Sequence, residues 1–152
     1  IIPKFISGKP IFALSEAILM LQAMASSRPP PVAKPLMAAI VGFVKIIREK
    51  HPNTPLVVIS PIYSPPREQQ PNLVGCNLED FRVEIANTVS VLQSHGDSNI
   101  HYVNGLNLFG PEYIHLLPDE LHPNAEGYKV MGEKFLSEVA EPFFKKNSIL
   151  QQ

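Results

Sequence analysis

The chain has 152 residues, 45% of them hydrophobic and 18% charged, with a formal net charge of -1 and one cysteine. That length suits one domain, which at this size buries roughly 70% of its unfolded surface. The near-neutral charge excludes a general attraction to phosphate backbones or anionic lipid, so nucleic acid is not an expected partner. Cys76 alone excludes an internal disulfide framework and a Cys/His zinc cluster. The compartment is left open.

In chain order, "IFALSEAILMLQAMA" at 11–25 is the longest apolar stretch, broken by Glu16 and Gln22. A membrane-spanning helix needs about 20 apolar positions, so no span is expected. Lys4 and Lys9 ahead of it and "AMA" behind imitate a secretory signal, but a glutamate in the apolar centre argues against that reading. A short helix is expected around 14–25, followed by a hinge at "SSRPPP", whose prolines lack amide donors. In "PLMAAIVGFVKIIREK", Leu36, Ile40, Phe43, Val44 and Ile47 recur at helical spacing and Lys45, Arg48 and Lys50 suit a helix end, predicting a helix over 35–50.

"LVVIS" at 56–60 is an unbroken β-branched run bounded by prolines, as in a strand buried on both faces. The following "PIYSPPREQQPNLVG" is too proline-rich for regular structure and long enough to suspect function. Asn77 and Asp80 then form a capping-box pattern, opening a helix whose apolar stripe is Leu78, Phe81, Ile85, Val89 and Leu92 and which ends near His95 and Gly96. "NIHYVNG" at 99–105 favours a second strand. From the N-cap Asn124, a last helix should bury Tyr128, Met131, Phe135, Val139 and Phe143. Helix, strand, helix, strand, helix is half of a doubly wound α/β domain, where ligands gather beyond the carboxyl ends of the strands.

The chemistry concentrates in "LLPDELHPNAEGY". Asp119, three residues before His122, can accept from the ring Nδ1–H, fixing the tautomer and leaving Nε2 to take a proton. Pro118 and Pro123 restrict the backbone on both sides. The second "HPN", at 51–53, has Arg48 three residues ahead, which would repel an imidazolium. Glu112 and His115 are a weaker rival without a following proline and cap, and His95 and His101 read as ordinary surface or structural histidines. Taken without context, a structural Asp–His bond at a helix entrance remains an equal alternative.

"LPDELHPNAEGYKVMGEKF" resembles the last block of the SGNH (GDSL-type) hydrolases, in which Asp-x-x-His followed by Pro supplies the acid and base of a serine triad. "KIIREKHPNTPLVVISPI" and "HYVNGLNLFGP" look like the preceding helix, strand and loop of bacterial members, so the resemblance covers about residues 35–145. It implies a three-layer α/β/α sandwich with a parallel sheet (the flavodoxin-like SGNH fold), incomplete at its N-terminus. It also implies ester or acyl hydrolysis with Asp119 and His122 as catalytic residues, a small-molecule ester or acylated substrate, and neither metal nor organic cofactor. The expected organisation is an unmatched segment at 1–31, an SGNH-like domain at 32–147 and a tail at 148–152.

The family's nucleophilic serine lies in a Gly-Asp-Ser block after the first strand, and the first 31 residues match neither that block nor the family's oxyanion donors. The nucleophile is therefore unassigned, and the chain, which starts on isoleucine, is expected to be the carboxyl-terminal part of a longer protein. A literal Gly96-Asp97-Ser98 falls between a helix end and a strand start, the wrong place for an oxyanion-binding turn. Ser60, at the carboxyl end of its strand, and Tyr63 are expected to line the cleft, and Cys76, just ahead of a helix, could carry an activated thiol. The alternative to a hydrolase is a non-catalytic remnant or binding module, inert alone. With its first strands absent, the sheet would expose an edge at 56–60, which predicts self-association.

Overall fold

The computed structural model describes residues 33–73 and 75–145. The readings at 1–31, including the helix at 14–25, and the tail at 148–152 lie outside the described residues. Helix α1 runs Ala33–Lys50, strand β1 Leu56–Ile59, a short helix α2 Pro65–Glu68, helix α3 Leu78–Ser94 and strand β2 Ile100–Val103. Helix α4 spans Ala125–Phe135 and continues as a π-helix over Leu136–Lys145. Two 3₁₀ turns, Gly105–Asn107 and Pro111–Leu116, fill the connection between β2 and α4.

β1 and β2 pair in parallel, with Leu56 opposite Ile100 and Ile59 opposite Val103. Because side chains alternate across a strand, β1 feeds two cores. Leu56 and Val58 join Ile100 in packing against α1 (Leu36, Ile40, Val44, Ile47) and α3 (Leu78, Phe81, Ile85, Val89, Leu92). Val57 and Ile59 face the other way, onto Val103, Leu108 and Val139, with Phe135, Phe143 and Phe144 alongside. All four β1 residues are buried, as a strand covered by helices on both faces requires. The layers are helix, sheet, helix, the expected α/β/α arrangement.

Local signals act where expected. Asn77 Oδ1 accepts from Asp80 N at 2.8 Å while Asp80 Oδ2 accepts from Asn77 N at 3.0 Å, a reciprocal cap on α3. Asn124 Oδ1 accepts from Gly127 N at 2.9 Å and opens α4.

Three expectations are corrected. Phe43 lies on the rim of the α1 stripe and is 39% exposed. Tyr128 is 59% exposed, because the inward position of that first turn belongs to Gly127. A Cβ at Gly127 would stand 2.8 Å from Pro123 and 3.3 Å from Phe109, so only glycine lets the turn approach so closely. The proline-rich loop does hold regular structure: Pro65 and Pro66 open α2, where the missing amides have no partner to lose. At the far end, Pro142 sits inside the π-helix. It cannot donate along the helix, and the wider turn relieves its ring's clash with a preceding carbonyl.

Candidate active site

β2 delivers the chain, through Asn104 and Gly105, to the carboxyl end of the sheet. Gly105 passes so close to β1 that an added Cβ would collide with the Ser60 carbonyl and stand 2.5 Å from that of Pro61. Its N–H donates to Ser60 Oγ at 3.0 Å, and Tyr102 Oη donates to the same oxygen at 3.0 Å. Ser60, expected to line a cleft, is instead 1% exposed and ties the two strand ends together. Tyr63 is half-buried, and its N–H donates to the Phe109 carbonyl at 3.0 Å.

The loop from Leu116 to Asn124 is closed by Asn124 N donating to Leu116 O at 2.9 Å and Glu120 N to Leu117 O at 3.1 Å. Within it, Asp119 and His122 meet. Asp119 Oδ1 accepts from Leu121 N at 3.0 Å and from His122 N at 2.6 Å, while Oδ2 lies 2.6 Å from His122 Nδ1. Among the described residues, no hydrogen bond engages Nε2. The ring and backbone bonds from His122, in that order, hold the Asp119 carboxyl far below its ordinary range, so it is a carboxylate at any working pH. An ionised acceptor on Nδ1 favours, for the neutral ring, the tautomer with its proton there and its lone pair on Nε2. The side chains are open to solvent, 69% for His122 and 54% for Asp119.

Glu120, between them, is the one non-glycine described residue with positive φ, at 60°. Its carbonyl accepts from Ser64 Oγ at 2.8 Å. Ser64 is itself buried under an ion pair: Arg82 Nη1 and Nη2 reach the two Glu68 oxygens at 2.7 and 2.8 Å. Arg82 also donates to the carbonyls of Pro61 and Ile62, at 2.9 and 3.1 Å. Burial pushes Glu68 up, but hydrogen bonds from Arg82 and Ser64 N outweigh it and hold the carboxyl below its usual value. Sequence reasoning missed this network. Its only signal was a serine followed by Pro-Pro in a loop of suspicious length.

The other candidates lie elsewhere. No hydrogen bond joins Glu112 to His115 among the described residues. His51 offers its carbonyl to Arg48 at 3.1 Å, and His95 Nδ1 lies 2.8 Å from Val91 O. His101 stacks on Phe143 with ring centroids 4.6 Å apart, and burial lowers its pKa. Asp97 of the literal Gly-Asp-Ser receives Arg48 at 2.7 and 3.0 Å. It stands at the amino end of β2, the opposite end of the sheet from His122. Cys76 packs partly against the α1/α3 core, and burial, then the charges of Asp80 and Glu84, push its thiol pKa up. Burial and the two carboxylates thus work against the activated thiol expected there.

Among the described residues, no group of three or more His, Cys, Asp or Glu could hold a metal ion, and no helix is long and apolar enough to cross a membrane.

No family model matches the chain, and no curated protein does. Solved structures similar to it include the following two. A salicylyl-acyltransferase from a tetracycline biosynthetic pathway is 30% identical over 91% of this chain and 38% of its own, with a TM-score of 0.69. A GDSL-like lipase from Bacteroides ovatus is 24% identical over 72% of this chain and 32% of its own, with a TM-score of 0.59. The chain thus spans about a third of the length of each. With helices on both faces of a parallel sheet and these two structural neighbours, the chain is a structural relative of the SGNH (GDSL-type) hydrolases and carries part of their α/β fold.

Proposed function

We propose that the chain carries the acid–base half of a serine-type acyl hydrolase or acyltransferase site, acting on a small-molecule ester or other acylated substrate. His122 Nε2 takes the proton from an attacking hydroxyl as the bond to the acyl carbon forms, then returns it to the departing alkoxide. Asp119 holds the ring and stabilises the imidazolium between those steps. A serine from outside the described residues completes the Ser-His-Asp set. The observation that carries the reading is the 2.6 Å Nδ1···Oδ2 approach with Nε2 unengaged. The acyl chemistry is borrowed from the two similar structures, one an acyltransferase and one a GDSL-like lipase.

A second reading, a binding module without a nucleophile, is favoured by the exposure of both side chains. Turnover of a p-nitrophenyl ester by the whole protein, with and without His122→Ala, separates the two. Loss of turnover supports the hydrolase, whereas equal rates remove His122 from the chemistry. A fluorophosphonate probe should leave residues 33–145 unlabelled, and labelling there would overturn the external serine.

A further inference from the structure

We propose that Ser64 is a positioning residue for the Asp119–His122 pair, acting through the single peptide that joins Glu120 to Leu121. The inference rests on the proposed role of that pair. The carbonyl of this peptide accepts from Ser64 Oγ at 2.8 Å, and its N–H donates to Asp119 Oδ1 at 3.0 Å. One rigid amide plane is therefore gripped at both ends, by a buried hydroxyl and by the carboxylate whose other oxygen meets His122.

The grip has work to do. Glu120 is held at φ 60°, a region that L residues with long side chains rarely occupy. A flip of the peptide would leave that φ positive but turn the Leu121 N–H away from Asp119. Ser64 opposes the flip from a site fixed in place. Its N–H donates to Glu68 Oε1 at 3.0 Å, its Oγ accepts from Arg67 Nη1 at 3.0 Å, and Glu68 is locked to Arg82.

Sequence chemistry explains why the hydroxyl is available. A serine at an N-cap ordinarily turns its oxygen onto its own helix, but Ser64 makes no such bond. Pro65 and Pro66 have no N–H to offer, and Arg67 N already donates to the Ser64 carbonyl at 2.9 Å. With no cap bond to hold it over its own helix, Oγ can turn outward, where its O–H donates to a carbonyl 56 residues away.

The test uses the 152-residue chain and nitrogen-15 NMR of the His122 ring in Ser64→Ala, Ser64→Thr and Asp119→Asn. Expected for Ser64→Ala are a weakened or exchange-broadened Nδ1–H signal and a rise of about 0.5–1 unit in the Asp119 carboxyl pKa, the scale of one lost hydrogen bond. Amide signals of the β1/β2 core should stay in place, and Ser64→Thr should restore the ring signal. An unchanged ring signal and Asp119 titration in folded Ser64→Ala would overturn the inference. If Ser64→Ala does not fold, Ser64→Cys, with a weakly donating thiol, carries the same comparison. In the whole protein, Ser64→Ala should lower kcat roughly 10- to 100-fold with little change in KM. Turnover indifferent to His122→Ala would sink the functional reading alone, since the NMR arms decide the positioning separately.

Discussion

The carboxylate of Asp119 holds His122 by both its backbone and its ring, with 2.6 Å to each nitrogen. A group so engaged sets which ring nitrogen carries the proton. Asp119→Asn should therefore leave the fold intact, scramble the tautomer and, if the proposed acyl chemistry holds, cost about 10³–10⁴ in kcat, the scale seen when the aspartate of a serine triad is replaced. Nitrogen-15 shifts of the ring and ester turnover measure the two effects. Retained Nδ1 protonation in the variant would contradict the assignment.

The same bonds have a pH signature. The Asp119 carboxyl is lowered from 3.8 in the folded chain, so its contribution is fully present above that value and is lost only as pH falls through the lower folded value. The Nδ1–H resonance of His122 should persist at about pH 4, where a free carboxyl is half-protonated. Its disappearance there would show that the pair is looser than the geometry implies.

Arg82 and Glu68 form a buried, two-pronged pair, with side chains 6% and 15% exposed. Arg82→Leu strands a carboxylate and two backbone carbonyls, and should cost about 3–5 kcal/mol in urea unfolding. Glu68, lowered from 4.5, gives stability that is present above that pH and lost as pH falls through its folded value. Glu68→Gln should therefore flatten the acid limb of the stability curve as well as lower its plateau.

Gly105→Ala places a methyl against the Ser60 and Pro61 carbonyls, backbone atoms that cannot rotate aside. A loss of about 1–3 kcal/mol is expected from overpacking. Thermal unfolding measures it, and a neutral result would mean that the β2 exit can shift.

The Gly96-Asp97-Ser98 triplet makes an opposite pair of outcomes. Asp97→Ala removes the carboxylate that receives Arg48, and should destabilise by about 1–3 kcal/mol. Ser98→Ala, on an exposed residue, should change neither stability nor ester turnover. Loss of turnover in Ser98→Ala would restore this triplet as a nucleophile candidate.

Much of the scaffold could be read directly. The stripe Leu78, Phe81, Ile85, Val89, Leu92 is buried throughout, because a helix imposes its period on any sequence that must bury one side. Tyr128 escaped that logic, since the glycine before it took the inward place. Proline density argued against regular structure at 61–75, yet a helix start tolerates proline, whose missing N–H has no partner to lose there.

The Asp119–His122 bond spans three residues and the Asn77–Asp80 cap likewise. Contacts this short are decided by backbone turn chemistry, which side-chain identity alone specifies, so the sequence by itself determined them. Arg82 finds Glu68 across 14 residues and Ser64 finds Glu120 across 56. Those partners meet only because parallel pairing of β1 and β2 brings the loops leaving both strands to one end of the sheet, an outcome of packing that only the tertiary structure decided.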